Sequence, residues 1–392
     1  MNKHTLIGGL TMLGLLAVAA AVPAQTAAEL PPIPNIEGKV LTVLGPVDPA
    51  VLGRTLMHEH IFFDPQLPYD ERSPHATEVG IFTQKLTLAN LAAVRAGVWN
   101  RDNDSILDFD EARDEVMAFK LGGGGTIVDA TNTPLGRDPQ ALHRMSNATG
   151  LHIVMGGGWY QKRYHPRNMD QLTLEEMTRI IVRDIVQGAD GTAIRTGIIG
   201  EIGINGHPLT PNEIKSTRAS ARAARLTGAP MTFHVGGVGE EKFTILDVVA
   251  SEGVDLSHVV MGHSNSLALD LPLARRVLAR GVTIEFDWLG AIGSPGGFLG
   301  ASDDTKVAQG LAQLVKEGYA DRIVLSHDVC NKTQLKKYGG LGYTYIDEYF
   351  LPALRQMGVS DADIHKMMVV NPARQLRFAA PRPLVVQTNA QS

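Results

Sequence analysis

Residues 53–60 read Gly-Arg-Thr-Leu-Met-His-Glu-His, a short apolar strand that ends in two histidines two positions apart. In an extended chain, residues i and i+2 lie on the same face, so His58 and His60 are expected to point the same way. An open, doubly wound sheet that binds a dinucleotide needs a glycine-rich loop directly after its first strand. His-Glu-His at this place favours a different α/β architecture.

Short apolar, β-branched segments like this one recur along the chain. The eight predicted strands are 51–57, 125–130, 151–156, 197–202, 229–235, 258–263, 282–287 and 322–327. Stretches with helical spacing of apolar residues lie between them; the clearest are 171–188, 211–228, 268–281 and 304–318, and each ends on a glycine. Alternating strands and helices predict right-handed βαβ units, and eight of them predict a single-domain (β/α)8 TIM barrel.

Composition agrees with a globular chain that buries a large core. The 392 residues are 44% hydrophobic and 20% charged, and the formal net charge of −5 gives no basis for nucleic acid binding. Length alone allows one barrel or two ordinary domains. Cys330 is the only cysteine, which excludes an intrachain disulfide; a small buried residue is favoured over a catalytic nucleophile there.

The N-terminus has the pattern of a secretory signal peptide. Lys3 precedes an apolar stretch from Leu6 to Val22, and small residues suit cleavage after Ala24. We therefore predict an exported protein, periplasmic or secreted, with no membrane span in the mature chain. The predicted organisation is a signal peptide (1–24), an extended leader (25–44), the barrel (45–380) and a flexible C-terminal tail (381–392).

The segment from about 65 to 120 is longer than a usual strand-to-helix connection. It predicts a lid or an extra helix over the mouth of the first strand. Within it, Asp102-Asn103-Asp104 resembles the start of a calcium loop, but the required glycine and glutamate are missing. The interpretation of these three residues is a solvated surface loop.

Further metal-binding side chains lie at or just past the ends of predicted strands. They are Glu201, His234, His263 and Asp328. A single histidine at such a place is more often a core residue, but the catalytic groups of a barrel collect at the carboxyl ends of its strands. We therefore predict that these side chains meet His58 and His60 at one mouth of the barrel.

Nitrogen and carboxylate ligands in this number suit two divalent cations. One ion would take His58, His60, Glu201 and Asp328, and the other Glu201, His234 and His263. Zinc is the favoured metal, with manganese, cobalt or iron(II) as alternatives. Two such ions can generate a bridging hydroxide that attacks a carbonyl or phosphoryl centre, with Glu201 and Asp328 as catalytic groups and Asp328 accepting the proton. The prediction is a metal-dependent hydrolase of a small-molecule substrate.

Around these residues the sequence resembles the phosphotriesterase family of the amidohydrolase superfamily. The similar segments are 53–60, 136–138 (Gly-Arg-Asp), 196–203, 326–328 (Ser-His-Asp) and 337–343, and the resemblance covers roughly residues 38 to 378. It implies a (β/α)8 barrel, a binuclear metal site, hydrolase activity and a homodimer.

The resemblance also points to one branch of that family. Many members bridge their metals with a carboxylated lysine, whereas this chain has Glu201, as in the phosphotriesterase-related and phosphotriesterase homology branch. Ser266 and Trp288 stand where the family has a proton-relay acid and a histidine. These departures favour ester, lactone or amide substrates over phosphotriesters, since relatives in the branch hydrolyse N-acyl amino sulfonates or lactones.

Three residues are predicted to contact the substrate: Tyr160, Trp288 and Arg137. The aromatic rings follow the third and seventh predicted strands, where they could shape a pocket or simply pack. Arg137 has an alternative interpretation as a structural ion-pair partner. Three alternatives also stay open. They are phosphotriesterase activity, a non-catalytic barrel that binds a metal or ligand, and a structural barrel whose histidines are ordinary core residues.

Overall fold

The structure, a computed structural model, describes residues 30–65, 79–235, 239–291 and 303–384. The predicted signal peptide and most of the predicted tail lie outside the described residues. From Pro31 onward the chain belongs to one compact unit. None of the helices in the described ranges combines the length and the hydropathy that crossing a bilayer requires.

The strands of the described chain are almost all parallel. β1 (Val40–Thr42) and β2 (Gly45–Val47) are the exception, an antiparallel hairpin at the end of the predicted leader that the sequence analysis did not anticipate. The other strands correspond one to one to the eight predicted strands: β3 (Arg54–Glu59), β4 (Gly124–Asp129), β5 (His152–Met155), β6 (Ile199–Ile204), β7 (Met231–Val235), β8 (Val259–Met261), β9 (Thr283–Phe286) and β10 (Ile323–Leu325).

Neighbouring strands along the chain are also neighbours in the sheets. One sheet has the order β3-β4-β5 and the other β10-β9-β8-β7-β6, and every adjacent pair is parallel. Strands β6, β7 and β9 are buried along their whole length, as expected where helices cover a parallel sheet. The predicted α/β fold with parallel sheets is confirmed.

Backbone hydrogen bonds connect the outer strands of the two sheets. Next to β5 and β6, Gly157 and Gly200 exchange two bonds of 2.8 and 2.6 Å. Next to β10 and β3, the N–H of Asp328 donates to the carbonyl of His58 at 3.1 Å. The two sheets are therefore linked along both pairs of outer strands.

Helices alternate with these strands. Their bounds are α1 (Val79–Thr83), α2 (Leu88–Arg95), α3 (Phe109–Leu121), α4 (Pro139–Thr149), α5 (Leu174–Val186), α6 (Pro211–Thr227), α7 (Glu241–Ser251), α8 (Leu271–Leu278), α9 (Asp304–Lys316), α10 (Leu351–Gln356), α11 (Asp361–His365) and α12 (Asn371–Gln375). Four of them, α5, α6, α8 and α9, correspond to the helical stretches that sequence analysis singled out.

Local sequence explains where these helices begin and end. Thr173 and Glu176 form a reciprocal capping box at the start of α5. Helix α6 ends at Gly228, whose φ of +78° is left-handed and favours glycine. The predicted helix start at 268 is early by three residues, because residues Ser264–Ala268 form a 3-10 turn before α8 begins at Leu271.

The long segment between β3 and β4 contains the extra helices α1 and α2 before α3. Within it, the interpretation of Asp102-Asn103-Asp104 as a solvated loop is wrong. Asn103 has no exposed surface, and its side-chain oxygen accepts the N–H of Thr333. Asp102 pairs with Lys332 at 3.0 Å. The polar side chains are buried because the loop after β10 supplies their partners.

Candidate metal centre

The six residues predicted as metal ligands lie together, on or after strands of both sheets. His58 is in β3 and His60 follows it; Glu201 is in β6, His234 is in β7, His263 follows β8 and Asp328 follows β10. We call these six residues the ligand cluster. His58 and Glu201 lie within their strands rather than at the ends, because β3 and β6 start and finish later than predicted. The left-handed φ of +62° at Gly53 precedes the start of β3.

The carboxylate of Glu201 is at the centre of the ligand cluster. Its Oε1 lies 3.4 Å from Nε2 of His60, and its Oε2 lies 3.2 Å from Nε2 of His58, 2.9 Å from Nδ1 of His234 and 3.5 Å from Nε2 of His263. A single carboxylate thus faces four imidazoles. Asn132 fixes the backbone beneath it by donating to the Glu201 carbonyl at 2.8 Å.

Asp328 closes the cluster on the other side of the two N-terminal histidines. Its Oδ1 lies 3.1 Å from Nε2 of His60 and 3.9 Å from Nε2 of His58. The backbone at Asp328 and at His263 is left-handed, with φ of +53° and +50°. Non-glycine residues rarely adopt this conformation, and when they do they are often held for function.

Burial leaves only part of the ligand cluster accessible. The side chains of His58 and His60 are 0% and 2% exposed, whereas those of His234 and Asp328 are 11% and 13% exposed. A small molecule would therefore approach from the side of His234 and Asp328.

The donor atoms fit divalent cations. His58 has no hydrogen-bond partner of acceptable geometry at either ring nitrogen among the described residues. Nε2 of His263 and Nδ1 of His234 lie only 2.6 Å apart. Three groups of closely spaced donor atoms among the described residues could hold an ion. Two contain only predicted ligands, namely His58, His60 and Asp328, and Glu201, His234 and His263; the third is His58, His263 and Asp287. Buried nitrogens without partners, converging on carboxylates, are what a metal site requires.

Charges in the ligand cluster shift one another's pKa values. Burial opposes ionisation of Glu201, but the neighbouring imidazoles His234 and His58 hold the pKa of this carboxyl well below its usual range. Burial likewise opposes a charged His60, yet Asp328 and Glu201 outweigh it and raise the pKa of His60 to about 9. The carboxylates therefore favour cationic partners at this place.

A second layer of side chains, not predicted from the sequence, lies behind the ligand cluster. Asp287, just after β9, has Oδ2 at 3.2 Å from Nδ1 of His58 and Oδ1 at 3.0 Å from Nδ1 of His263. Glu285 lies two residues earlier, fully buried, with an oxygen 3.7 Å from Nδ1 of His58. Acidic residues two apart within an apolar predicted strand, 282–287, were a signal for a shared inward face.

His60 has a second-layer partner as well. Its Nδ1 lies 2.8 Å from the hydroxyl of Thr131. Asp129, the last residue of β4, accepts the backbone N–H groups of Thr131 and Ile61. Such partners orient an imidazole, so each strand end contributes support beyond its own ligand.

Two of the predicted substrate contacts lie at the ligand cluster. The Tyr160 hydroxyl is 3.0 Å from Nδ1 of His234. The Trp288 ring stacks on the His263 ring, with centroids 4.6 Å apart. Gln161, which sequence analysis did not single out, also reaches His234 through its side-chain nitrogen. These side chains form a wall beside the accessible part of the cluster.

Arg137, the third predicted substrate contact, is not at the ligand cluster. Its guanidinium is 1% exposed and lies 2.9 Å from Asp184 and 2.8 Å from Asp190. It also donates to the carbonyl of Gly156 at 3.1 Å. The prediction of a substrate contact is therefore replaced by the alternative, because two carboxylates and a carbonyl hold this side chain.

Cys330 lies two residues from Asp328 in the sequence, but its thiol is not suited to take part in catalysis. It is half-buried, and burial together with the nearby Asp328 carboxylate raises the pKa of the Cys330 thiol well above its usual range. A thiol in that state is a poor nucleophile. The structure agrees with a packing residue.

An α/β fold with parallel sheets, whose buried imidazoles and carboxylates meet around one shared glutamate, has the side chains of a metal-dependent hydrolase. Comparison with known proteins gives the family. The family model described as "Phosphotriesterase family" matches residues 38–376. The chain belongs to the phosphotriesterase family, and the predicted membership is confirmed.

Similar proteins agree with this membership. An N-acetyltaurine hydrolase from Xenopus tropicalis is 35% identical over 356 residues, which span 88% of this chain and 99% of that protein. A resiniferatoxin-binding protein from Rhodobacter sphaeroides has a TM-score of 0.80 and 36% identity, covering 87% of this chain and 95% of that one. The phosphotriesterase homology protein from Escherichia coli has a TM-score of 0.68 and 28% identity, covering 84% and 100%.

Proposed function

We propose that this protein is a binuclear metal-dependent hydrolase on a closed (β/α)8 barrel, and that it cleaves the amide bond of a small N-acylated amino acid or amino sulfonate. The observation that carries the proposal is the position of Glu201. Its Oε1 is within 3.4 Å of His60 and its Oε2 within 3.5 Å of His58, His234 and His263, as a carboxylate shared by two ions would be.

Backbone hydrogen bonds between the two sheets support closure of the barrel. Each outer strand pair is already linked by backbone hydrogen bonds, at Gly157 and Gly200 on one side and at His58 and Asp328 on the other. The contact between Gly157 and Gly200 is an isolated antiparallel bridge, and with both places joined the eight strands in chain order would leave no open edge. Catalytic groups of such barrels lie at the carboxyl ends of the strands, and His60, His263 and Asp328 of the ligand cluster follow such ends.

His58, His60 and Asp328 would hold one metal ion, His234 and His263 the other, and Glu201 both. Imidazole and carboxylate donors suit zinc, and manganese, cobalt or iron(II) fit the same ligands. When bound, a pair of such ions lowers the pKa of water and polarises the carbonyl oxygen of a substrate.

The chain's own side chains then handle the proton and the substrate. The Asp328 carboxylate, partly exposed beside the cluster, accepts a proton from the attacking water and returns it to the leaving nitrogen. Tyr160 and Trp288 border the place where the substrate would sit. Their rings exclude water from one side of it.

The choice of an amide rests on the relatives. The N-acetyltaurine hydrolase from Xenopus tropicalis aligns over 88% of this chain. The bond in its named substrate is an amide, and we extend that bond type to this protein ahead of lactones and phosphotriesters. The N-terminal sequence supports export to the periplasm or the medium, and we propose that the protein works there as a homodimer.

Metal analysis and a substrate panel test this proposal. The purified protein, loaded with zinc or manganese, is assayed against N-acetyltaurine, N-acetyl amino acids, lactones, aryl esters and phosphotriesters. We expect two metal ions per chain, amide hydrolysis that a chelator abolishes, and no turnover in Glu201→Ala. Glu252→Ala, which removes an ion-paired glutamate far along the chain, is the matched control and should retain turnover.

Three results would contradict the proposal. One bound ion or none would exclude the binuclear site. Unchanged turnover in Glu201→Ala would exclude the shared role of that carboxylate. Two bound ions with no turnover of any substrate would favour the alternative of a non-catalytic metal-binding barrel. A preference for lactones or phosphotriesters would contradict the proposed amide substrate.

A further inference from the structure

Trp288 is held between two members of the ligand cluster. Its indole Nε1 donates a hydrogen bond of 2.8 Å to Oδ2 of Asp328. Its ring stacks on His263, with centroids 4.6 Å apart and an interplanar angle of 26°. Its backbone N–H donates to Oδ1 of the buried Asn265 at 3.2 Å. Contacts on the ring face, the ring edge and the backbone together fix the direction of the indole N–H.

Because of the hydrogen bond from Trp288, the two oxygens of Asp328 have different contacts. Oδ1 faces the histidines, 3.1 Å from His60 and 3.9 Å from His58, while Oδ2 accepts the indole N–H. The carboxylate therefore cannot rotate without losing one of these contacts. A carboxylate held in one orientation presents its free lone pairs in a fixed direction.

The chemistry of indole limits where a proton on Asp328 can go. Indole nitrogen is a donor only, so it can hold Oδ2 but cannot receive a proton from it. In the described ranges, the other side chains recorded at this carboxylate are His58 and His60 and, at longer range, His263, all assigned above to metal binding. The described protein thus offers Asp328 no base that is free to take its proton away.

We propose that Trp288 is a positioning residue that aims Asp328 at the leaving group and confines its proton to the substrate, so that the enzyme favours substrates whose leaving group must be protonated. This inference rests on the proposed function. It predicts a preference for amides, whose leaving group is an amine that must be protonated, over aryl esters and aryl phosphotriesters, whose leaving group is a stable aryloxide.

The proton balance of the reaction is complete without another acceptor. Water adds its oxygen to the carbonyl carbon, and one of its protons passes to Asp328. The carbon–nitrogen bond then breaks with its electron pair on nitrogen, and Asp328 gives that nitrogen the same proton. A carboxylic acid and an amine result, and Asp328 is again a carboxylate.

Trp288→Phe tests the inference because it keeps an aromatic ring against His263 and removes the N–H. The probe substrates are N-acetyltaurine, an amide, and 4-nitrophenyl acetate, an aryl ester. We expect kcat for the amide to fall by about tenfold or more, as removal of a hydrogen bond to a charged group implies, and KM to change much less than kcat. For the aryl ester we expect a clearly smaller fall in kcat than for the amide, since its leaving group needs no proton.

Trp99→Phe is the matched control. The Trp99 indole also donates to a carboxylate, Oδ2 of Asp104 at 2.6 Å, away from the ligand cluster. The same chemical change there should leave both substrates unaffected. Trp288→Gln restores a donor that accepts no proton, and it should recover part of the amide kcat.

NMR of the indole groups gives a readout that does not depend on activity. The chain has three tryptophans, so their indole N–H signals can be assigned by the Phe variants. The Trp288 signal should lie downfield in the wild type and move upfield in Asp328→Asn, while the Trp99 signal stays. An unmoved Trp288 signal would overturn the inference even if Trp288→Phe does not fold.

The outcomes also separate this inference from the proposed function. Equal losses for the amide and the aryl ester in Trp288→Phe, or no loss for the amide, would overturn the inference while leaving a metal-dependent hydrolase in place. A wild-type protein that hydrolyses neither probe with metal bound would overturn the proposed function, and the inference with it.

Discussion

Oδ1 of Asp287 lies 3.0 Å from Nδ1 of His263, so the imidazole presents its Nε2 to Glu201. The same carboxylate accepts the backbone N–H of His263, and its Oδ2 lies 3.2 Å from Nδ1 of His58. A carboxylate behind an imidazole fixes the ring and its tautomer. Asp287 therefore holds His263 by a hydrogen bond and places a negative charge beside His58, so it acts on one histidine of each proposed metal ion.

Asp287→Asn should weaken metal binding at both proposed positions. The amide keeps the shape of the side chain but loses the charge that faces the two rings, and loss of such a partner costs about 10–100-fold in metal affinity. Competition with a chelator of known affinity measures the effect. Asp255→Asn, an exposed residue that caps a 3-10 turn, is the control. Equal affinities in wild type and Asp287→Asn would disprove this role.

Arg137 should matter for stability and not for substrate binding. Its guanidinium is 1% exposed and pairs with the buried Asp184, so Arg137→Met leaves that carboxylate with only the half-exposed Arg183 as an ion-pair partner. Removing one partner of a buried pair costs about 3–5 kcal/mol of the free energy of unfolding. Denaturant unfolding measures this, with KM measured in parallel. In Arg275→Met, which breaks a more exposed pair with Glu317, the loss should be much smaller. A raised KM without lost stability would restore the substrate-contact prediction.

Gly228 should tolerate no side chain, because a Cβ there would lie 1.9 Å from the carbonyl oxygen of Ala379 and φ is +78°. Gly281 has a similar φ of +87° but nothing within 4 Å of the Cβ position. We expect Gly281→Ala to cost about 1 kcal/mol from the backbone alone, and Gly228→Ala to cost more. The difference in unfolding free energy isolates the contact with the segment around Ala379. Equal costs would show that this segment moves aside freely.

The strands and the ligand cluster could be predicted from the sequence, but the residues that surround and support the ligands could not. Period-two spacing placed His58 and His60 on one face, and strand ends brought distant residues such as His234 and Asp328 together. Asp287 was missed because nothing local distinguishes a second-layer carboxylate from an ordinary one on a strand. Its role depends on two rings contributed by other strands.

The burial of several polar side chains was also not predicted from the sequence. The reason is again that their partners lie far away along the chain. Asp102 and Asn103 look like loop residues in isolation, yet Lys332 and Thr333 supply their partners across more than two hundred residues of chain. Arg137 is a similar case, because Asp184 and Asp190 reach it from a later helix and turn. A local sequence pattern shows that a segment is polar. Whether its polar side chains are buried depends on the partners that the fold brings to them.

The pair between Glu317 and Arg275 should give a pH-dependent contribution to stability. Hydrogen bonds from Arg275 and Gln313 lower the pKa of the Glu317 carboxyl from 4.5 to about 2. Because the pKa is lowered on folding, the contribution is complete above pH 4.5 and is lost as the pH falls toward 2. The difference in melting temperature between wild type and Glu317→Gln should therefore be constant from neutral pH to about pH 5.5 and shrink below it. A difference that grows on acidification would contradict the assignment.

Glu59 should connect stability to metal binding, because its carboxylate joins β3 to the segment that carries Asp328. It accepts hydrogen bonds from the hydroxyl of Ser326 at 2.8 Å and from the N–H groups of His327 and Val329, each at 2.9 Å. In Glu59→Gln an amide group replaces one acceptor, so a buried N–H loses its partner, at a cost of about 1–3 kcal/mol. The strand ends that carry His58 and Asp328 are then less firmly held, and metal affinity should fall together with stability.

Glu115→Gln is the matched control for this change. Glu115 is also buried and accepts two backbone N–H groups, from Lys336 and Lys337, but it has no recorded contact with the ligand cluster among the described residues. Its substitution should lower the unfolding free energy by a similar amount and leave metal affinity unchanged, because the strand ends keep their connection. Unfolding of the metal-loaded protein and chelator competition measure the two quantities. If both variants weakened metal binding equally, the effect would reflect general loss of stability and not the link between β3 and Asp328.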